Sequence, residues 1–301
     1  MKIAILEAGA PPERLSDRFP GYGRMAADLL GPAYDCTVFR VNQDVWPANS
    51  VAYDATLVTG SPAGVSDSLP WIATLIAYLR RLDPNKPLVG LCFGHQVMAD
   101  AFGGRVERSP KGWGLGLHAY DIYHAAAWMD GEGRIAAPAI HQDHVAAAPP
   151  ASRTLAGNAF TPHGIIAYAD RRALSFQFHP EFAVAYARAL IADHRPDDLD
   201  ETLRAQALAS FDAPGDGARI GEWIQRFLTD RTGADQVNSG DSLSPSKHAL
   251  DEDWTTLHEH GNSSESRMLT RPPITSPEGR TAFRSCTGSA PTYRGSKTGG
   301  P

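Results

Sequence analysis

The stretch Pro87-Leu88-Val89-Gly90-Leu91-Cys92-Phe93-Gly94-His95-Gln96 constrains this chain more than any other. A short apolar strand runs into a cysteine set between Gly90 and Gly94. Residues Phe93–Phe102 then carry apolar positions at helical spacing until Gly103-Gly104 stops them. A strand that turns directly into a helix needs a sharp backbone bend, which the flanking glycines permit. The bend lifts the side chain at its apex to the mouth of the turn. This is the geometry of the G-x-S-x-G nucleophile elbow, with a thiol in place of the hydroxyl. The free N–H groups and dipole of the helix N-terminus favour a thiolate there. The stretch therefore calls for a strand-to-helix fold and marks Cys92 as a nucleophile.

The elements before it fit such a fold. Lys2–Leu6, Cys36–Val41, Ala55–Val58 and Pro87–Leu91 read as strands, with helices at Tyr22–Leu30 and Leu69–Leu82 between them. The alternation predicts an α/β class: a flavodoxin-like, doubly wound, mostly parallel sheet with helices on both faces. From about residue 113 the pattern changes to short strands at Leu115–Tyr123, Ala139–His144, Ile165–Tyr168 and Ala173–Phe178. These predict a small antiparallel extension. Helices are expected at Phe182–Asp193 and at Leu199–Leu228, the second interrupted near Pro214-Gly215. Beyond about Thr232 the chain is rich in Ser, Thr, Gly and Pro, as at Ser263-Ser264-Glu265-Ser266. It lacks the periodic apolar residues that would offset ordering entropy. One domain is expected over 1–231 and a disordered tail over 232–301.

Bulk properties exclude several classes. A net charge of −6 gives no electrostatic reason to bind nucleic acid or an anionic membrane. No apolar run approaches the roughly 18–20 residues that span a bilayer. The start, Met1-Lys2-Ile3-Ala4-Ile5-Leu6-Glu7, reads as a buried strand rather than a secretory signal. Cys36, Cys92 and Cys286 lie far apart, without pairing or metal-ligand spacing, as suits a reducing cytoplasm. Cys36 is expected to be a buried structural thiol, and Cys286 an unengaged one in the tail.

A nucleophilic cysteine needs a base, and the base needs an orienting acceptor. The run Ala173-Leu174-Ser175-Phe176-Gln177-Phe178-His179-Pro180-Glu181 supplies both. Its strand stops at His179, and Glu181 lies two residues on. The C-terminal ends of parallel strands share one sheet edge, so both segments can meet. Thr59-Gly60-Ser61-Pro62 ends another strand on that edge. A main-chain N–H of Gly60 or Ser61, with that of Phe93, suits a tetrahedral oxyanion. Without Cys92, His179 and Glu181 would only end a strand and begin a helix. His141, Asp143 and His144 carry metal-ligand chemistry, but a strand would put His144 opposite the other two, so no metal site is expected. Lys111-Gly112-Trp113-Gly114-Leu115-Gly116 lacks the strand–turn–helix setting of a dinucleotide loop, and Trp113 is expected to line or cover the cleft.

Gly90-Leu91-Cys92-Phe93-Gly94-His95-Gln96, followed far downstream by Phe178-His179-Pro180-Glu181, resembles the class I (triad) glutamine amidotransferases. His141-Gln142-Asp143-His144-Val145 is similar to a segment of the glutaminase domain of GMP synthetase. The resemblance covers about residues 1–190. It implies Cys92 as nucleophile, His179 as base and Glu181 as its orienter. Gly60 and Phe93 would serve the oxyanion, and Gln96, Gln142 and Asp143 would hold the substrate. The implied reaction cleaves the γ-amide of glutamine through a γ-glutamyl thioester, releasing ammonia and glutamate, with no metal or organic cofactor. The family's Gly-Gly-Pro oxyanion loop is here Thr59-Gly60-Ser61-Pro62. No G-x-x-x-x-G-K-[ST] phosphate loop is present, so the enzyme is expected either to feed ammonia to a separate synthetase subunit or to act alone. Two alternatives stay open: a γ-glutamyl peptide or amide hydrolase with the same triad, and a catalytically silent regulatory or binding subunit.

Overall fold

The computed structural model describes residues 1–131, 133–193 and 199–230. The chain divides into a unit Met1–Leu250 and a unit Asp251–Pro301, and every described residue belongs to the first. The expected boundary near 231 and the expected tail lie outside the described residues.

In chain order the elements are β1 (Lys2–Glu7), α1 (Glu13–Ser16), α2 (Tyr22–Leu30), β2 (Asp35–Arg40), β3 (Ala55–Val58), α3 (Pro70–Arg81), β4 (Leu88–Leu91), α4 (Phe93–Ala101), β5 (Arg105–Arg108), β6 (Gly114–Ile122), β7 (Gly133–His141), β8 (Asp143–Ala147), β9 (Ser152–Gly157), β10 (Ile165–Tyr168), β11 (Ala173–Phe176), α5 (Val184–Asp193), α6 (Glu201–Ser210) and α7 (Gly217–Thr229).

One sheet runs in the order β2-β1-β3-β4-β11-β10-β9-β6-β7, beside a two-stranded sheet of β5 and β8. Its first five strands are parallel throughout. Counted along the sheet they follow the flavodoxin-like order 2-1-3-4-5, whose ligands sit beyond the strand C-termini where the order reverses. The remaining strands pair antiparallel. The parallel α/β core and antiparallel extension expected from the sequence are both present.

The core follows from strand alternation. Ile3, Ile5, Leu57, Val89 and Leu91 face a layer that includes α2 and α7. Leu6, Val58 and Leu88 face the opposite layer, with Ile72, Leu75 and Leu79 of α3 and Val97 and Met98 of α4. Strands buried on both faces must be apolar at consecutive positions, as β1, β3 and β4 are.

Several expectations are corrected. Ala139–His144 is not one strand. β7 ends at His141 and β8 starts at Asp143 in the other sheet. The chain crosses between sheets at Gln142, whose carbonyl accepts the N–H of Ser109 at 2.8 Å. β11 ends at Phe176 rather than Phe178. The Gln177 N–H still bonds Gly164 beside β10, but that of His179 turns away to Pro138 of β7. The expected interruption near Pro214-Gly215, by contrast, is present and separates α6 from α7. Cys36 is half-buried rather than buried, because β2 is an edge strand.

Helix α7 closes the first layer through Ile220, Trp223, Ile224 and Phe227. Trp223 is fully buried, and its indole N–H donates to Asp130 at 3.0 Å. Trp223→Ala is therefore expected to destabilise the protein by about 3–5 kcal/mol in chemical denaturation. A loss under about 1 kcal/mol would mean that α7 does not belong to the core.

Candidate active site

Cys92 caps α4 with φ 51° and ψ −100°, a conformation that L-residues rarely adopt. Hydrogen bonds on both sides hold it there. Its N–H donates to Phe176 of β11 at 2.8 Å, and its carbonyl accepts from Gln96 of α4 at 3.0 Å. The turn can be this tight only because Gly94 lies against the backbone of β3. A Cβ at Gly94 would stand 2.3 Å from the Val58 carbonyl oxygen. The Phe93 side chain is buried against Trp71, with ring centres 5.5 Å apart. As the first residue of the helix, its N–H belongs to the turn that has no intrahelical acceptor.

His179, Glu181 and Gly60 meet Cys92 at that edge. His179 and Glu181 are both buried, and His179 Nδ1 lies 2.8 Å from Glu181 Oε1. His179 and Cys92 line the same cavity, and Gly60 packs against both. Burial disfavours the charged imidazole. The charges of Cys92 and Glu181, with the hydrogen bond to Glu181, outweigh it, raising His179 from 6.5 to about 10. The ring stacks on Phe182, with centroids 4.0 Å apart and planes 6° off parallel. Gly60 fits closely: a Cβ there would lie 2.9 Å from His179 Cε1 and 3.8 Å from Cys92 Cβ. The Ser61 hydroxyl donates to Ala8 at 2.8 Å and accepts the Ala63 N–H at 3.1 Å, tying the loop to the end of β1.

Cys92 and His179 open onto a cavity of about 680 Å³ with two chemically different walls. Gln96, Gln142 and Asp143 line it, as does Trp113. Gln96 Nε2 donates to the Asp143 carbonyl at 2.8 Å and to Gln177 Oε1 at 3.3 Å. The His141 ring meets the same carbonyl at 3.0 Å. His141 and Asp143 are therefore linked through backbone rather than as metal ligands. No group of three or more His, Cys, Asp or Glu suited to a metal occurs among the described residues.

Two nearby residues escaped the sequence reading. Gln177 donates its amide to Cys92 Sγ at 3.8 Å, and its position two before His179 was the available signal. Tyr22 lines the cavity, and its hydroxyl accepts from that of Tyr186 at 3.1 Å. The opening residue of a helix far upstream gave no such signal. Burial pushes the Tyr22 hydroxyl up to about 12.

The glutamine amidotransferase class-I family model matches residues 25–193, more than half of the chain. This chain belongs to that family. A glutamine amidotransferase-like protein of Schizosaccharomyces pombe is 29% identical over 243 residues, covering 75% of this chain and 98% of that one. Gamma-glutamyl peptidase 4 of Arabidopsis thaliana is 30% identical over 219 residues, covering 68% and 87%. The glutamine-hydrolysing GMP synthase of Thermus thermophilus is 31% identical over 158 residues, which is 52% of this chain but 29% of that protein. The fold matches a glutamine amidotransferase structure from Thermotoga maritima at a TM-score of 0.62 and 13% identity, covering 76% of this chain and 99% of the other. The family resemblance read from the sequence is thus correct. No described helix of this amidotransferase-family chain is long and apolar enough to cross a membrane.

Two outcomes test the geometry. Backbone strain of this kind costs about 1–3 kcal/mol, and glycine relieves it while adding about 0.5–1 kcal/mol of unfolded-chain entropy. Cys92→Gly should therefore denature at higher urea than Cys92→Ala, by about 1 kcal/mol. The reverse order would show an unstrained elbow. In Cys92→Ala, burial of His179 is opposed by Glu181 alone, so its titration by NMR should move down from the wild-type value. An unchanged or higher value would show that Cys92 does not hold the proton on the ring.

Proposed function

We propose that this chain hydrolyses γ-glutamyl amide bonds, glutamine among them, with Cys92, His179 and Glu181 as its triad. The observation that carries this reading is the meeting of three side chains at one sheet edge: buried Glu181 lies 2.8 Å from buried His179, and His179 and Cys92 open onto one cavity. Cys92 Sγ attacks the amide carbonyl. The oxyanion that forms is met by the main-chain N–H groups of Gly60 and Phe93. The C–N bond breaks, and the leaving amine takes the proton from His179. Water then attacks the γ-glutamyl thioester and gives its proton to His179, so glutamate leaves and Cys92 is regenerated. Glu181 holds the ring orientation and stabilises the imidazolium. Every group in these steps belongs to the chain or the substrate, so no cofactor is called for.

The glutamyl head carries an ammonium and a carboxylate, and neither tolerates burial without a partner. It lies along the polar wall of Gln96, Gln142 and Asp143. A cavity of about 680 Å³ is of the size that takes a drug-sized ligand and exceeds what one amino acid requires. This favours γ-glutamyl peptides or amides as substrates beside glutamine. With glutamine as donor, the ammonia would pass to a separate synthetase subunit. The intact row of three side chains disfavours a silent subunit.

Glutamate release from glutamine and from γ-glutamyl dipeptides is the direct test, with ammonia followed in parallel. Cys92→Ala is expected to abolish release from both while keeping a cooperative unfolding transition. Denaturing mass spectrometry of the wild type mixed with substrate should catch a γ-glutamyl adduct on Cys92. Release sustained by Cys92→Ala would remove Cys92 from the mechanism.

A further inference from the structure

The cavity wall opposite the polar one is apolar, and ammonia has no use for it. Phe182 stacks directly on His179, and Tyr22 follows at 5.6 Å between ring centroids. Trp113, Ile140 and Leu190 complete this side and pack against the same hydrophobic cluster as Phe182 and Tyr22. Trp113, Ile140 and Leu190 remain partly exposed within the cavity. The charged and amide groups lie on the other side, interspersed with Pro62, Ala63 and Val65 of the loop after β3 and Val106 of β5. Asp143 sits at its centre, beside Gly64 and Asp67 of the loop after β3, and Arg108 is its register partner across β5 and β8. Cys92 and His179 stand between the two sides.

This arrangement orients a substrate. The scissile carbonyl must lie at Cys92, and the departing nitrogen must face His179 to collect its proton. The charged glutamyl head is excluded from the apolar side by desolvation and takes the polar one. What hangs on the departing nitrogen then runs past His179 onto Phe182 and Tyr22. Burying the apolar face of that group against Trp113, Ile140 and Leu190 is favourable in proportion to the area removed from water.

Resting on the hydrolase reading above, we infer that Tyr22, Trp113, Ile140, Phe182 and Leu190 form a leaving-group subsite, and that the preferred donors are γ-glutamyl amides of bulky apolar or aromatic amines. The chemistry balances as for the simplest donor. The thioester C–S bond forms, the amide C–N bond breaks, and the amine departs with the proton from His179. Water then releases glutamate and restores the thiol.

The test compares kcat/KM of the full chain for γ-glutamyl-phenylalanine, γ-glutamylglycine and glutamine, following glutamate in each case. A filled apolar pocket discriminates by about tenfold or more per group, so the phenylalanine donor should exceed the glycine donor by at least about tenfold. Trp113→Ala and Leu190→Ala, each checked by thermal melting, should reduce that ratio to a few-fold. Leu190 is partly exposed near the end of α5, so its variant keeps the test open if Trp113→Ala fails to fold. Equal kcat/KM for the three donors, or a ratio unmoved by both variants, overturns the subsite and leaves the hydrolase reading standing. An occupant of another kind on this wall, such as a partner protein, gives that same result. Glutamate from none of the donors, with Cys92 left unmodified by the glutamine-mimicking electrophile 6-diazo-5-oxonorleucine, overturns both.

Discussion

The hydrogen bond from the N–H of Cys92 to the carbonyl of Phe176 is the constraint on which the site depends. It continues the parallel pairing of β4 with β11 by one residue past the end of β4, where the chain has already turned into helix. The thiol and the segment that carries His179 are thereby fixed to each other by main chain. The cost is a cysteine at φ 51°, and packing has to hold it. Gly94 lets α4 lie against the Val58 carbonyl, and Val97 and Met98 seat the helix in the layer shared with α3.

The same edge explains why segments so distant in sequence converge. β1, β3, β4 and β11 are parallel neighbours, so their C-terminal ends emerge side by side. The loop after β3 contributes Gly60, the turn after β4 contributes Cys92, and the exit from β11 contributes His179 and Glu181. The antiparallel strands close the far side. The N–H of His179 is tied to Pro138 of β7, and the β7–β8 crossing delivers Gln142 and Asp143. The parallel core thus brings Gly60, Cys92, His179 and Glu181 to one edge, while the extension brings Gln142 and Asp143 to the cavity beside them.

Much of this was legible in the sequence because its causes are local. The strands β1, β3 and β4 announce themselves by continuous apolar runs, and the elbow by its glycines. His179 and Glu181 follow an apolar run that stops abruptly. What stayed hidden depends on tertiary pairing. β5 and β9 carry weak patterns, Arg105–Arg108 and Ser152–Gly157, and exist because partners accept them. The break at Gln142 is invisible because residues on either side both favour strand, and only their different partners separate them. Tyr22 and Phe182 look like ordinary core aromatics. Their position beside a cavity follows from the packing of α2 against the start of α5, which no spacing rule encodes.

Four histidines show how environment assigns roles to one side chain. Burial lowers His95, His118 and His141, with His95 and His141 brought down to about 3. Each is offered only neutral partners, such as the Ser175 hydroxyl at 2.8 Å from His95 Nδ1. His179 suffers the same burial, yet it alone of the four lies between a thiol and a carboxylate, and it rises instead. The difference is anionic partners rather than depth. It also serves the charged ring, because His95 and His141 titrate far below neutrality and so add no competing positive charge beside it. Of these four imidazoles, His179 is therefore the one that carries the extra proton at neutral pH.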